Sequence, residues 1–337
     1  MQAWLYGENG YYSKERSIGK EGDFFTAVST SMFFGGCIAK RLIATIESGF
    51  LSPHAHVVEI GAHKGYLLAD MIQFIYTLKP ELLRTLSFTI IEPFEPNQRM
   101  QKAYFKEAFG DAITLLHVKN LEALTCKEAF VVANEIFDAF ACEVIYNDTM
   151  LLIEEGKAFF GPMDALTQEK ASLLNVTKGE LCLGYEPFAA SLVTACKRFE
   201  FVTFDYGDKE ARGDFSLRVY ADHQVYPFFG LSDLVEEGLR EKKSFAEFFG
   251  VSDLTYDVNF THLIRAFEQA GSKVEAYATQ MKALVEFGLI DLLDTLQQKA
   301  SSKHYEQELN RVKTLIDPSF MGERFKMVCF RSYTKLN

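Results

Sequence analysis

The 337-residue sequence predicts an α/β fold: a mostly parallel sheet with helices on both faces, interrupted by inserted hairpin and helical segments. Three observations carry that expectation. Short β-branched or apolar runs alternate with segments whose apolar residues recur at helical spacing. The first such run leads directly into a glycine-bearing turn, Gly61 to Gly65. Strands separated by helices imply βαβ units and hence a parallel sheet.

Residues 9–24 are polar and rich in Gly and Tyr and read as a long loop, followed by a helix from about Ser29 to Ser48 with Met32, Phe33, Ile38, Leu42 and Ile43 apolar. Val57–Ile60 is a buried strand ending at Gly61, and residues 66–78 carry apolar positions at helical spacing. Phe88–Ile91 is the next strand, ending at Glu92; residues 96–109 form a helix, and Ile113–Val118 and Ala129–Ala133 give two more strands. Residues 142–162 read as a β-hairpin turning at Asn147-Asp148, and Phe201–Asp205 as a fifth core strand. Residues 207–256 read as an insertion with its own helices, its charge run Glu236–Lys243 a solvated helix face. Lys273–Ala278 and Phe325–Arg331 complete the sheet.

A net charge of −11 and the lack of a dense Lys/Arg stretch argue against a nucleic-acid binder and favour a cationic partner, such as an Arg- or Lys-bearing peptide. Six scattered cysteines without a C-x-x-C pair read as thiols in a reducing compartment. The start lacks a basic n-region and apolar core, and no window reaches the ~20 apolar residues of a membrane span. A soluble cytoplasmic enzyme is therefore expected. No G-x-S-x-G elbow, H-E-x-x-H or P-loop occurs, and no metal site is expected.

The strongest motif is Glu59-Ile60-Gly61-Ala62-His63-Lys64-Gly65 at a strand-to-helix junction. Glycines there let the backbone approach a ligand, and the helix start offers free N–H groups. Glu92, ending the following strand, is placed to accept hydrogen bonds from two ribose hydroxyls. A dinucleotide loop would want G-x-G-x-x-G; the E-x-G-x-x-x-G arrangement suits S-adenosylmethionine instead. A second constellation, Ala133-Asn134-Glu135-Ile136-Phe137-Asp138-Ala139-Phe140, follows the fourth strand. If a helix starts here, Glu135 and Asp138 share a face, and two carboxylates in so apolar a stretch suit a substrate cation. A distant Arg or Lys would equally satisfy them.

Taken in order, these segments resemble the MidA-like family of S-adenosylmethionine-dependent methyltransferases over nearly the whole chain. The matching pieces include Gly10-Tyr-Tyr12, Gly22-Asp-Phe24 with Thr26, the Glu59–Gly65 loop, Ile91-Glu92-Pro93, Gln98, Gln101 and Ala133–Asp138. Asp205-Tyr-Gly207, Asp257–Phe260, Thr279-Gln280 and Met321–Lys326 continue the set. The resemblance implies a Rossmann-like class I methyltransferase fold with S-adenosylmethionine as cofactor. It implies cofactor contacts from Glu59, Gly61, Ala62, Gly65, Glu92, Asn120 and Asn134, and a cover formed by residues 1–50 that brings Asp23 and Thr26 near the site. Residues 51–337 would form the methyltransferase domain, with insertions at about 142–198 and 207–256.

Mitochondrial members assist respiratory complex I assembly and dimethylate an arginine on one of its subunits. The resemblance therefore implies protein arginine N-methylation of a partner protein, with Glu135, Asp138 and Asn134 as candidate catalytic residues. The sequence departs from the family at His63, where a Gly is usual, at Ala141, where a Pro is usual, and in a longer stretch before Asp257. Two further readings fit the same residues: a non-catalytic cofactor-binding assembly factor, and a small-molecule methyltransferase.

Overall fold

The computed structural model describes residues 1–13, 26–154, 157–221, 224–231 and 245–333. In chain order the first elements are α1 (Gln2–Tyr6), α2 (Ala27–Thr30), α3 (Phe33–Glu47), β1 (His56–Ile60), α4 (Tyr66–Leu78), β2 (Ser87–Ile91), α5 (Glu95–Phe109), β3 (Leu115–Val118) and β4 (Cys126–Asn134). Next come β5 (Cys142–Tyr146), β6 (Thr149–Glu154), β7 (Lys157–Pro162), α6 (Ala165–Leu174), β8 (Lys178–Cys182), α7 (Tyr185–Ala195) and β9 (Cys196–Asp208). They are followed by β10 (Arg218–Ala221), β11 (Gln224–Pro227), α8 (Phe245–Phe248), β12 (Asp253–Thr255), β13 (Val258–Asn259), α9 (Phe260–Gln269) and β14 (Ser272–Thr279). The chain continues through α10 (Gln280–Glu286), α11 (Leu289–Lys299), α12 (Ser302–Ile316) and β15 (Phe325–Tyr333).

These elements form two compact units. The larger holds Phe25–Ile136, Ala189–Tyr206 and Phe267–Asn337. Its sheet runs β3-β2-β1-β4-β9-β15-β14. β1, β2, β3, β4 and β9 are parallel, whereas β15 is antiparallel to both β9 and β14. Period-2 alternation explains why both faces are covered. Val202 and Phe204 join Phe130 and Val57 in a core shared with Leu42 of α3, Leu67 and Ile72 of α4, Leu284 of α10, Leu292 of α11 and Val312 of α12. Phe201 and Phe330, on the opposite face, stack on Phe267 of α9 at 5.5 and 4.0 Å between ring centroids. The expected parallel sheet with helices on both faces is what the structure shows.

The predicted helix over Ser29–Ser48 is broken. α2 ends at Thr30, Ser31 is extended, and α3 starts at Phe33. Local capping sets this break: Thr26 and Ser29 cap each other's backbone amides, and the Ser31 hydroxyl accepts the amide of Phe33.

β9 runs well beyond the predicted Phe201–Asp205 because Glu200, polar in sequence, is fully buried and satisfied by its neighbours. Its carboxylate accepts from Arg41 Nε (2.6 Å) and Nη2 (3.0 Å), Arg331 Nε (2.7 Å) and Thr45 Oγ1 (2.9 Å). Arg331 also pairs with Glu275 at 2.9 Å.

The other unit holds Met1–Phe24, Phe137–Phe188 and Gly207–Ala266. The predicted hairpin is present as β5 and β6, turning at Asn147-Asp148 with Asn147 at φ 52°. β7 and β8 extend it to a four-stranded sheet in the order β7-β6-β5-β8. The 207–256 region contributes a three-stranded sheet, β11-β10-β12, and the short α8. The charge run Glu236–Lys243 lies outside the described residues. Among the described residues no helix is long and apolar enough to cross a membrane.

Candidate functional site

Strand register brings the candidate residues together. Ile60 of β1 pairs with Ile91 of β2 on one side and with Ala133 of β4 on the other. The residues that follow, Gly61, Glu92 and Asn134, therefore lie side by side at the carboxyl edge of three neighbouring strands. With strands about 4.8 Å apart, that row spans roughly 10 Å, the scale of a nucleoside. Asn120 follows β3 at the same edge, its side chain accepting the Ala123 amide at 3.0 Å, and the Glu92 amide donates to Val118 at 2.9 Å.

Left-handed residues alternate through the loop: Gly61 at φ 72°, His63 at 46° and Gly65 at 82°. A Cβ on Gly61 would stand 2.8 Å from Ile136 Cγ2, and one on Gly65 would stand 3.0 Å from Phe105 Cε2. The space beside these glycines is closed by the loop after β4 and by α5, so no side chain fits at either position without a shift. His63, where the family usually has Gly, adopts the same left-handed conformation that a Gly takes without strain. Gly65 then caps α4, which leaves the first amides of that helix unpaired within it.

Glu59 and Glu92 are both buried acids, with different surroundings. Glu59 accepts the Leu68 amide of α4 at 3.1 Å, and burial pushes its pKa up to about 8. Glu92 is also raised by burial, opposed by hydrogen bonds from the Phe94 amide (3.0 Å), the Asn97 side chain and Gln101. Gln101, fully buried, donates Nε2 to the His63 carbonyl at 2.7 Å and to Glu92 Oε2 at 3.3 Å. Its Oε1 lies 2.8 Å from His117 Nε2. His117 gave no signal in the sequence beyond being one of several scattered histidines.

A consequence for pH follows from Glu59. Its folded pKa stands above its ordinary value of 4.5, so the folded state holds a proton that the unfolded chain has released. Stability is therefore lost as pH rises from about 4.5 through about 8. Glu59→Gln keeps an acceptor for the Leu68 amide and removes the titration. It is expected to stabilise the protein at pH 8–9 by a few kcal/mol and to leave stability near pH 4.5 almost unchanged. Thermal melts across this pH range check it; equal shifts at both ends would contradict the assignment.

Asn134 ends β4, and its Nδ2 donates to Glu135 Oε1 at 2.7 Å. Its Oδ1 is buried without a hydrogen-bond partner among the described residues, an acceptor suited to a ligand N–H or O–H. Glu135 sits at φ 53° and Ile136 follows against Gly61.

The expectation that Glu135 and Asp138 share a helical face is not met. The left-handed backbone at Glu135 prevents a helix from starting there, and only a three-residue 3₁₀ turn, Phe137–Ala139, follows. Asp138 belongs to the other unit, where its turn is held at three successive carbonyls. Tyr185 OH reaches that of Phe137 (3.5 Å), the Tyr256 amide that of Asp138 (3.1 Å) and Tyr6 OH that of Ala139 (3.0 Å). The same unit buries Asp253, which sequence reasoning did not single out; Tyr12 OH reaches both of its carboxylate oxygens at 2.9 Å. Thr26 spends its hydroxyl on capping α2, and Asp23 lies outside the described residues.

A sheet whose main path carries seven strands, one of them antiparallel, with a glycine loop after its first strand and an acid after its second, is the arrangement of the Rossmann-like class I methyltransferase fold. The chain superimposes with a TM-score of 0.80 over 99% of its length, and 87% of the other chain, on a protein from Burkholderia thailandensis described as a likely methyl transferase and bound to S-adenosyl-homocysteine, at 20% identity. A native structure from the same organism gives a TM-score of 0.77 at 21% identity, covering 99% of this chain and 86% of the other. The model of an S-adenosyl-L-methionine-dependent methyltransferase family matches residues 37–278, and the chain belongs to that family. Among curated proteins it is 22% identical to the mitochondrial protein arginine methyltransferase NDUFAF7 of Rattus norvegicus, over 97% of this chain and 78% of that protein. The Homo sapiens counterpart is 21% identical over 97% and 77%. The MidA-like resemblance and the cofactor it implied are thereby borne out.

Proposed function

We propose that this methyltransferase methylates arginine side chains of a protein partner, with the cofactor held along the Gly61–Glu92–Asn134 row. In this reading Gly61, Ala62 and Gly65 receive the amino-acid end, Glu92 the ribose hydroxyls, and Asn134 Oδ1 a further donor. When bound, S-adenosylmethionine supplies an electrophilic methyl group on a sulfonium centre.

The observation that carries the substrate reading is Glu135. A bulky acid in the left-handed region costs about 1–2 kcal/mol, and such strain concentrates at functional sites. Here the carboxylate is braced by Asn134, one residue before Ile136, which packs against Gly61. A carboxylate so held accepts two guanidinium N–H groups, orients the attacking nitrogen and stabilises its charge. The relatives named as protein arginine methyltransferases support this choice of side chain, as does the acidic net charge.

The test is transfer of a labelled methyl group into proteins and arginine-bearing peptides. Wild type is expected to label arginine, and Glu135→Ala to lose about a hundred-fold or more of that rate. The variant should still bind S-adenosylhomocysteine within about three-fold, since Glu135 does not belong to the proposed cofactor row. Label confined to small molecules, or found on another side chain by mass spectrometry, overturns the proposal.

A further inference from the structure

Gln101 is fully buried on α5, one turn before Phe105, and both side chains pack towards the Gly65 turn. Both its amide nitrogen and its amide oxygen have partners. The amide nitrogen faces a backbone carbonyl, that of His63, and a carboxylate oxygen, that of Glu92, neither of which donates when Glu92 is ionised. A flipped amide would set Oε1 against both acceptors. The oxygen therefore faces His117, whose Nε2 must carry the proton in this contact. Burial and Lys102 hold the His117 pKa down at about 4, so the ring is neutral at ordinary pH. A chain of three side chains thus runs from β3 through α5 to the end of β2, with a branch to the glycine loop.

We propose that Gln101 is the positioning residue of the cofactor site, fixing Glu92 for the ribose diol and anchoring it to the glycine loop, with His117 locking the amide in its working orientation. This rests on Glu92 being the ribose acid, as inferred above. The physical gain is preorganisation. A buried carboxylate left to itself swings between rotamers, whereas donors on its inner side fix the outer lone pairs towards the ligand. Gln101 touches no ligand in this scheme and acts only through Glu92 and the loop.

A ligand pair separates positioning from general structural support. S-adenosylhomocysteine carries the ribose diol; its 2′,3′-dideoxy analogue does not. Calorimetry on the full-length protein is expected to show Gln101→Met weakening S-adenosylhomocysteine about ten-fold and the analogue at most about three-fold. His117→Phe, which leaves Gln101 in place but takes away the N–H that its Oε1 accepts, should show the same selective loss, and His117→Gln, which restores an N–H, should recover most of it. Melting temperatures without ligand identify any variant that has not folded. If Gln101→Met fails to fold, the His117 pair carries the test.

Equal weakening of both ligands, or no weakening of either, overturns the proposal while leaving Glu92 as the ribose acid. If wild type binds the two ligands equally, and Glu92→Ala binds S-adenosylhomocysteine as wild type does, the ribose assignment falls and the positioning role with it.

Discussion

Gly61→Ala is expected to weaken S-adenosylhomocysteine binding about thirty-fold or more and to lower the melting temperature of the unliganded protein. Two costs combine at this one methyl group. Gly61 has φ 72°, and an L-residue there costs about 1–2 kcal/mol. The added Cβ would also stand 2.8 Å from Ile136 Cγ2, closer than carbon atoms pack, so the loop or the start of the Glu135 segment must shift. Either displacement moves groups in the proposed cofactor row. Ile136→Ala in the same chain relieves the contact but not the backbone strain, so the double variant should regain part of the affinity and not all of it. Calorimetry on the three variants measures the division. Wild-type affinity in Gly61→Ala would show that the loop does not cradle the ligand.

Removing the buried acid of β9 is the largest expected loss of stability. Glu200→Ala strips the carboxylate from between Arg41 and Arg331, whose side chains are 23% and 15% exposed. Breaking one partner out of a buried ionic group costs about 3–5 kcal/mol, because the remaining charges stay desolvated. For a chain of this size that is a fall of roughly 5–10 °C in melting temperature. Replacing all three residues together, Glu200→Leu with Arg41→Met and Arg331→Met, should restore most of the loss, since no charge is then left buried. Thermal melts of the single and triple variants decide it. A triple variant as unstable as the single one would show that packing, and not charge, dominates here.

The same group explains where sequence reading of the fold stopped. β1, β2 and β4 and the helices α4 and α5 are legible to within a few residues because their apolar runs match one period and end at Gly, Glu or Asn. The first half of β9 is not, since Lys197, Arg198 and Glu200 look like a solvated approach to a strand. Only the distant Arg41 and Arg331 make Glu200 a core residue.

The site divides similarly. Gly61, Gly65, Glu92 and Asn134 are legible from their place after strands, and the register aligns them. The shared helical face of Glu135 and Asp138 was inferred from spacing alone, and a single positive φ undoes it. Gln101 was visible only as part of a family pattern, and His117 not at all. A buried amide linking a loop, a helix and two strand ends leaves no periodic trace in a sequence.

The antiparallel strand β15 sets the order in which the sheet can be assembled. It lies between β9 and β14, both of which precede it in the chain. Until β15 is synthesised, those two strands lack the ladders that join them in the finished sheet. Adding β15 forms two ladders at once, unlike the addition of one more edge strand. Non-local closure of that kind is slow, and the waiting edges are what chaperones bind and aggregates recruit. The parallel strands carrying the glycine loop and Glu92 precede that step, so the cofactor row can be built before the sheet is closed.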